Sequence, residues 1–521
     1  GTGINYMLRS LDPYTIYYPE EKVKDLDLMI SGKYAGVGAL IRYNFLLKNT
    51  VIDEPYENMP AAEVGLKKGD IILAIGDSSM VGKDVAYVSN HLRGDAGTTF
   101  ILTIQRPSVN KKMKFKITRR SIQLPAVPYY GVQDGGVGYL NLNSFTTGCA
   151  KDVRRAFLDM KKQGMTSLVF DLRNNGGGSL QEAVNIVNMF VPKGITLVKT
   201  VGKMERANKE YKTTVEPIDT VMPIVVLVND ETASASEITS GSLQDLDRAV
   251  VLGTRTYGKG LVQVSMDLPY NGNLKLTSSK YYIPSGRCIQ AINYKHANGG
   301  YTEHVPDSLT HVFHTANGRE VRDGGGIKPD VEVRPDSLPN IAFYLASSGR
   351  DSTEVMWNWE LQYLKKHPTI GPAKTFVISD ADFEDFKQAV LKSGFKYDRE
   401  SKKYLENLVK LAKFEGYYDD AKGEFDALEK KLNHNLAKDL DYNKQTLKKV
   451  LTSDLVSAYY YQKGSLENSL QFDKQWKKAV KILKNPAEYK KLLQPVVGQP
   501  LVKLEPASNV VVDKKQKSKA K

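Results

Sequence analysis

Two short stretches of the sequence place a nucleophile and a candidate base where each could be activated. Ser234 lies among small residues after an apolar stretch at residues 224–228 and opens a predicted helix. At a helix N-terminus the free backbone N–H groups and the helix dipole favour developing negative charge. The segment also fits a capping box, because Glu237 follows Ser234 by three residues, so taken alone it leaves a purely structural role open.

The candidate base is a lone lysine, Lys259, between Gly258 and Gly260 and after the apolar stretch at residues 249–252. In a desolvated turn the charged ammonium is disfavoured and its pKa falls from about 10.4, so the neutral amine can accept a proton from a serine hydroxyl. A solvated surface lysine is the alternative for this residue taken alone. The stretch also resembles a phosphate-binding loop, but Gly260 stands where that loop needs Ser or Thr to hold magnesium.

A third candidate element is the glycine loop at residues 174–178, which follows an apolar strand predicted at residues 167–171. Glycines let backbone N–H groups approach a ligand closely, and such groups can form an oxyanion hole with the amide beside a nucleophile. A simple strand-to-helix turn is the alternative. No histidine lies in an HExxH pattern and no serine in a GxSxG elbow, although a triad assembled in space stays open.

The three candidate segments must be held by a folded core, and the pattern from residue 109 onward indicates which kind of core. Short apolar strands alternating with helices are typical of an α/β core whose sheet is covered on both faces. We therefore predict a multidomain α/β chain with five parts. They are the end of a helical N-terminal region at residues 1–30, a mostly-β module at 31–108, the α/β core with a mixed sheet at 109–336, a helical region at 337–505 and a basic disordered tail at 506–521.

The composition excludes several classes of protein. The 521 residues are 41% hydrophobic and 25% charged, which is typical of globular domains. The two cysteines form no metal-ligand spacing, so we predict no metal and no other cofactor. No stretch approaches the roughly 18 apolar residues of a membrane span. The chain begins with Gly1 rather than Met, so we expect an exporting or anchoring segment outside this sequence.

The net charge of +14 is concentrated in the last third of the chain. A solvated tail is the ordinary explanation, and an acidic partner such as an anionic membrane surface is the alternative. No motif for reading nucleic acid is present, so we predict no nucleic-acid partner.

Several motifs in order resemble one family, the bacterial carboxyl-terminal processing proteases, also called tail-specific proteases. The resemblance covers roughly residues 5–335 and includes a PDZ signature. The matching motifs lie at residues 11–14, 60–70, 171–175, 232–237, 256–263, 282–287 and 326–330. Each motif is modest evidence by itself, but their occurrence together in this order is specific.

The resemblance implies a serine endopeptidase with a Ser-Lys dyad. Its nucleophile would be Ser234 and its base Lys259, 25 residues later, with Gln263 orienting the lysine. The amides of Ala235 and Gly178 would form the oxyanion hole. A catalytically idle peptide-binding scaffold and a nucleotide-dependent enzyme are the alternatives. The intact serine, lysine and glutamine argue against the scaffold, and the missing magnesium ligand argues against the nucleotide enzyme.

The resemblance also implies that the PDZ module receives the C-termini of protein substrates. An extended peptide would add as a strand, with its carboxylate in a backbone nest. The predicted nest is Gly36, Val37, Gly38 and Ala39, and the predicted pocket wall is Val85, Val88 and Leu92, which could instead form the module's core. The implied location is the bacterial cell envelope, close to the membrane surface. The helical region could bind an adaptor or a second copy.

Overall fold

A computed structural model describes residues 1–290, 306–347, 349, 351–398, 400–432 and 435–495. The predicted tail at residues 506–521 and the end of the predicted helical region lie outside the described residues. The strands are β1 (Ile16–Tyr18), β2 (Lys33–Gly36), β3 (Ala39–Asn44), β4 (Asn49–Pro55), β5 (Ile71–Ile75), β6 (Ser78–Ser79), β7 (Thr99–Arg106), β8 (Lys111–Thr118), β9 (Arg120–Gln123), β10 (Tyr129–Gln133), β11 (Val137–Asn141), β12 (Ser167–Asp171), β13 (Thr196–Gly202), β14 (Lys209–Lys212), β15 (Ile224–Val228), β16 (Val250–Gly253), β17 (Leu261–Asp267), β18 (Asn273–Tyr282), β19 (Val312–His314), β20 (Glu320–Arg322) and β21 (Val331–Glu332).

The α-helices of the same described ranges alternate with these strands up to β21 and follow one another after it. They are α1 (Thr2–Leu8), α2 (Glu20–Ser31), α3 (Pro60–Glu63), α4 (Val85–Leu92), α5 (Cys149–Lys162), α6 (Leu180–Val187), α7 (Ala235–Asp245), α8 (Asn340–Ala346), α9 (Val355–Lys366), α10 (Asp380–Lys392), α11 (Glu400–Glu415), α12 (Lys422–Leu432), α13 (Leu436–Tyr442), α14 (Lys444–Ser469), α15 (Lys474–Leu483) and α16 (Pro486–Leu492). No helix among the described residues has the length and apolar character needed to cross a bilayer.

The described part of the chain divides into two compact units, and the first combines residues 1–33, 123–290, 306–335 and 473–495. Its central sheet has the order β10-β11-β12-β15-β16-β21, and all neighbours are parallel except β10 and β11. A second, antiparallel sheet has the order β1-β18-β13-β14, with β17 also paired to β18.

Both faces of the central sheet are covered, as the run of apolar strand residues predicts. Alternate side chains such as Leu168 and Phe170 enter one core with helices α5, α6 and α7. The intervening side chains, such as Val169 and Leu227, are also buried. Helix α15 neighbours β12, β15 and β16, so it covers this opposite face. Its Trp476 packs edge-on against Tyr139 of β11, with 5.5 Å between ring centroids.

The second unit combines residues 34–122 with residues 336–472. The PDZ module is a sheet in the order β3-β4-β5-β7-β8, closed by α4 over an apolar core. Helices α8 to α14 form the other part. Helices α8, α9, α10, α13 and α14 surround a core that includes Phe383, Phe386 and Leu447, and α11 and α12 pack on each other. Trp357 of α9 joins the two parts because it packs with Val51 and Ile71 of the PDZ sheet.

Two predicted domain boundaries differ from the structure. The first boundary was placed at residue 108, but β8 pairs along its whole length with β7, so the PDZ sheet continues to Thr118. The second was placed at residue 337, with all later residues in one helical region. Helices α15 and α16 instead belong to the first unit. Apolar periodicity predicts a helix but not which core the helix joins.

Candidate active site

Three loops that carry the predicted catalytic residues follow three neighbouring parallel strands. The glycine loop follows β12, Ser234 follows β15 by six residues, and Lys259 follows β16 by six residues. These strands are adjacent in the order β12-β15-β16, so their carboxyl ends meet at one edge of the sheet. The sheet topology therefore brings the three candidate elements to one place.

Ser234 is the residue that precedes helix α7, and its backbone is strained. Its φ of 55° and ψ of −116° lie in a region that residues with a side chain rarely adopt. Such a conformation costs on the order of 1–3 kcal/mol and persists only where the surroundings hold it. The helix behind it is buried along its whole length, so the position of Ser234 is set by a rigid element.

The carboxylate of Glu237, fully buried in α7, joins the Ser234 turn to the Lys259 loop. It accepts hydrogen bonds from the N–H of Ser234 (2.8 Å), the N–H of Gly258 (2.7 Å), the N–H of Lys259 (2.9 Å) and the hydroxyl of Thr256 (2.6 Å). Burial raises the pKa of Glu237, and these four hydrogen bonds oppose the rise. One side chain thus fixes the backbones of both predicted catalytic residues.

A second residue, Tyr281 of β18, joins the same two backbones. Its hydroxyl lies 2.8 Å from the Lys259 carbonyl oxygen and 3.2 Å from the Ser234 carbonyl oxygen, and it donates to them. Burial raises the pKa of Tyr281 well above its usual range, with Glu237 contributing in the same direction. The phenol therefore stays protonated and remains a donor at neutral pH.

Lys259 occupies the kind of environment that the sequence predicts for a neutral amine. Its Nζ lies 4.7 Å from the ring centroid of Tyr14. The pKa of Lys259 is lowered to about 8, mainly by burial and then by the nearby charge of Lys275, while Glu237 and Asp12 oppose the change. Among the described residues, no hydrogen bond joins Lys259 Nζ to Ser234 Oγ. Catalytic hydrogen bonds of this kind often tighten only when substrate binds.

Gln263 does not contact Lys259 through a hydrogen bond, although it lies near the site on β17. Its side-chain amide donates to the Thr277 hydroxyl (3.3 Å), which donates to the carboxylate of Asp12 (3.0 Å). That carboxylate also accepts from the backbone N–H groups of Tyr14 and Thr15. Gln263 therefore reaches the lysine environment through Asp12, whose charge raises the lysine pKa.

The glycine loop lies against the nucleophile turn. Gly177 has a φ of 96°, and a side-chain carbon there would lie 2.8 Å from the Ala235 nitrogen. Gly178 has a φ of 144°, and a side-chain carbon there would collide with the carbonyl oxygen of Phe145. The Gly177 N–H donates to the Asn175 side chain. Within the described ranges, the N–H groups of Gly178 and Ala235 have no protein acceptor, so both can donate to a ligand.

The candidate carboxylate nest of the PDZ module lies at residues 36–39, between β2 and β3. Gly38 has a φ of 73°, a value that favours glycine. The ring of Tyr34 packs against Gly36, and its phenol lies beside the backbone of Gly38. Burial raises the pKa of Tyr34 to about 12, with Tyr56 acting in the same direction. A phenol that stays protonated at neutral pH therefore lies beside the predicted nest.

The predicted pocket wall divides between core and surface. Val88 and Leu92 are 0% and 5% exposed and pack with Val37 in the module's core, as the structural alternative proposed. Val85 is half-buried, and Ala39 packs partly buried on the same core. Helix α4 lies beside β3, so Val85 and Ala39 lie on neighbouring elements.

Several residues at this site have roles that sequence patterns did not predict. Glu237 was interpreted only as a cap, and Asp12 and Tyr14 only as parts of a matching motif. Tyr281 was not named, although it adjoins the motif at residues 282–287. The sequence signal for Asp12 and Tyr14 was the family motif at residues 11–14. This motif lies more than 200 residues from Lys259 in the sequence. Among the described residues, no group of three or more His, Cys, Asp or Glu side chains could hold a metal ion.

Comparisons with known proteins show which families the chain is similar to. The chain matches the model of peptidase family S41 at residues 136–296, a PDZ domain model at residues 51–106, and a model described as the probable PDZ-protease C-terminal helical domain at residues 344–483. A solved structure, the photosystem II D1 C-terminal processing protease, is 27% identical with a TM-score of 0.36, covering 65% of this chain and 82% of that chain. The family assignment does not depend on it.

Curated relatives share the sequence over longer stretches. The carboxy-terminal-processing protease of Bartonella bacilliformis is 38% identical over 295 residues, which is 56% of this chain and 67% of the relative. A probable CtpA-like serine protease of Staphylococcus aureus is 30% identical over 417 residues, which is 78% of this chain and 70% of the relative. For the Staphylococcus epidermidis protein of the same description, the matched part is 58% of the relative's length. The chain therefore belongs to the carboxyl-terminal processing proteases of peptidase family S41 and is a serine peptidase with a PDZ domain.

Proposed function

We propose that the chain is an endopeptidase whose Ser-Lys dyad is Ser234 and Lys259, and that its PDZ module reads the C-termini of protein substrates. The single observation that carries the first part is the Glu237 carboxylate, which binds the backbone N–H groups of both residues. The lowered pKa of Lys259, about 8, supports the assignment of the base. A neutral amine needs no metal or nucleotide to activate a serine hydroxyl.

The proposed reaction is acyl transfer in two halves. The Lys259 amine takes the proton of the Ser234 hydroxyl as Oγ bonds to the substrate carbonyl carbon, and the oxyanion accepts from the N–H groups of Gly178 and Ala235. The tetrahedral species breaks its C–N bond, and the leaving amine takes the proton from Lys259. Water then gives a proton to Lys259 and attacks the ester, which releases the acid and restores the Ser234 hydroxyl.

The test is digestion of an unstructured protein without ATP or added metal. The wild type should cleave it, and Ser234→Ala and Lys259→Ala should abolish cleavage with unchanged circular dichroism. Lys259→Arg should also be inactive, because guanidinium cannot accept the proton. Substantial turnover by Ser234→Ala would refute the dyad. Inhibition by a chelator that added zinc reverses would contradict the metal-free mechanism.

The proposal for substrate recognition rests on the nest at residues 36–39 and the groove beside α4. A substrate carboxylate would accept from the nest amides, including the Gly38 N–H beside the Tyr34 phenol. Apolar C-termini should be preferred, because the groove adjoins the apolar residues Val85 and Ala39. The test compares cleavage of one substrate ending in Val-Ala-Ala with the same chain ending in Asp-Asp-Asp or in an amide. Equal rates for all three would show that the C-terminus is not read.

We also propose that the substrates are proteins of the bacterial cell envelope, as the family resemblance implies. Fractionation of the native cells, followed by detection of the chain with an antibody, tests the location. Adaptor binding or self-association through the helical region stays a prediction, which sedimentation of the purified protein would address.

A further inference from the structure

Arg173, directly before the glycine loop, is held by the C-terminal helix α15 as well as by its own strand. Its guanidinium donates to both carboxylate oxygens of Asp171, at the end of β12. The same guanidinium donates to the side-chain oxygen of Gln475 (2.8 Å) and forms an ion pair with Asp473 (2.7 Å). The Arg173 and Asp473 side chains are 18% and 14% exposed, so the pair is largely screened from water.

The two residues from the C-terminal segment are themselves fixed. One carboxylate oxygen of Asp473 accepts from the backbone N–H groups of Gln475 and Trp476 and so caps α15, which leaves the other oxygen for Arg173. The Gln475 amide donates to the carbonyl oxygen of Val333 (2.7 Å). Trp476 packs on Tyr139, whose hydroxyl donates to Asp171 (2.6 Å). We call the contacts of Arg173 with Asp473 and Gln475 the clasp. Both of its ends are held by further hydrogen bonds and packing.

The loop that starts at Arg173 carries the contacts that shape the active site. Two residues on, the Asn175 carbonyl oxygen accepts from the N–H of Ala233 (3.0 Å) and from the hydroxyl of Ser236 (2.8 Å), on either side of the nucleophile turn. The Asn175 side chain accepts from the Gly177 N–H (2.9 Å). The loop ends at Gly178, whose N–H faces no protein acceptor within the described ranges. A shift of Arg173 would move both the oxyanion donor and the support of Ser234.

We propose that Asp473 and Gln475 are positioning residues for the peptidase reaction, acting through Arg173 on the glycine loop. The start of α15 then belongs to the catalytic unit, although it is separated from the glycine loop by about 300 residues of sequence. This inference rests on the proposed function, since it takes the Gly178 N–H as an oxyanion donor. Because the donor matters most when negative charge develops on the substrate, loss of the clasp should lower kcat and leave KM nearly unchanged.

The position of Asp473 allows its two roles to be separated by one substitution. Asparagine caps helices as well as aspartate does, so Asp473→Asn keeps the acceptor for the helix amides and removes the charge that binds Arg173. Asp473→Ala removes both. Asn485 provides the matched control, because it caps the adjacent helix α16 through the Glu488 N–H and makes no contact with Arg173.

The experiment measures kcat, KM and Tm of the full chain with a fluorogenic peptide ending in Val-Ala-Ala, together with the inhibition constant of a peptide boronic acid, which forms a tetrahedral adduct on serine. For Asp473→Asn we expect about a tenfold or greater loss in kcat, a parallel loss in boronate affinity and a Tm close to that of the wild type. For Asn485→Ala we expect a lower Tm and an unchanged kcat.

An unchanged kcat and boronate affinity in both Asp473 variants would overturn the inference. An equal loss of kcat in Asn485→Ala and Asp473→Asn would also overturn the inference, because the loss of activity would then reflect only a loss of stability. Ser234→Ala, assayed in parallel, separates this outcome from failure of the proposed function. If that variant retains activity, the dyad is wrong. If it is inactive while Asp473→Asn is fully active, only the positioning role is wrong.

Discussion

Removing the charge of Lys275 should make the peptidase more dependent on alkaline pH. Lys275 of β18 is the charged neighbour that lowers the pKa of Lys259, after burial itself. Lys275→Gln removes this like charge and leaves a polar side chain of similar length. The pKa of Lys259 should therefore rise, and a smaller fraction of the enzyme should carry the neutral amine at pH 7.

The magnitude at stake follows from the pKa of the base. A lysine with the ordinary pKa of 10.5 is about 0.03% neutral at pH 7, whereas one with a pKa of about 8 is about 9% neutral, roughly a 300-fold difference. Activity of the wild type should rise with pH and level off above about pH 8, because the neutral form is the active one. In Lys275→Gln this rise should begin at a higher pH and reach a similar plateau.

The assay is the pH dependence of kcat/KM between about pH 6 and pH 10, with the peptide ending in Val-Ala-Ala. Lys280→Gln is the matched control, because Lys280 lies on the same strand with an exposed side chain. It should reproduce the wild-type profile. A Lys275→Gln profile that coincides with that of the wild type, or one that shifts to lower pH, would refute the argument that this charge tunes the base.

Three further predictions follow from the same site and from the PDZ nest. Lys259→Met should raise the free energy of unfolding at pH 7 by up to about 3 kcal/mol, because the buried lysine is penalised while charged. This gain in the free energy of unfolding should shrink between about pH 8 and pH 10.5, because the folded wild-type protein then holds a neutral lysine. Urea unfolding at several pH values measures it, and a gain that is constant with pH would contradict the prediction. Glu237→Gln should cost about 2–4 kcal/mol and most of the activity, since an amide nitrogen would face donors it cannot bind, and normal stability in urea would contradict this. Tyr34→Phe should tighten binding of a peptide ending in Val-Ala-Ala by about 2- to 10-fold, because it removes the phenol hydroxyl that lies beside the Gly38 backbone and would compete with the peptide carboxylate. Calorimetry showing weaker or equal binding would exclude this competition.

The family resemblance implied that the catalytic loops meet, and the structure shows the local patterns that allow it. Each loop comes directly after a short apolar strand, and parallel strands place their carboxyl ends at one edge. The glycines at residues 176–178 and the lysine turn at 258–260 were recognised from residue type and spacing. The buried environment of Lys259 was also expected, since the turn follows a fully apolar strand at residues 249–252.

The remaining features depend on contacts between residues that are distant in sequence. The hydrogen bond of Gln263 to Thr277 depends on the register of β17 against β18, where a bulge shifts the pairing next to Gln263. The approach of Tyr14 to Lys259 depends on β1 joining β18. The contacts of Arg173 with Asp473 and Gln475 join residues about 300 positions apart, and in the sequence Arg173 looks like an ordinary surface charge. Periodicity within a segment carries no record of such partners.

The structure also shows that helix capping and catalysis are not competing interpretations of Ser234 and Glu237. A capping carboxylate needs only the N–H of Ser234, but Glu237 also binds the amides of Gly258 and Lys259. These additional bonds are made to a buried charge, where each contributes about 1.5–3 kcal/mol. Together they can offset the strain of about 1–3 kcal/mol in the Ser234 backbone. A carboxylate that only capped the helix would require neither the strained backbone of Ser234 nor hydrogen bonds to the lysine loop. The arrangement of Glu237 is therefore explained by the positions that it imposes on the backbones of Ser234 and Lys259.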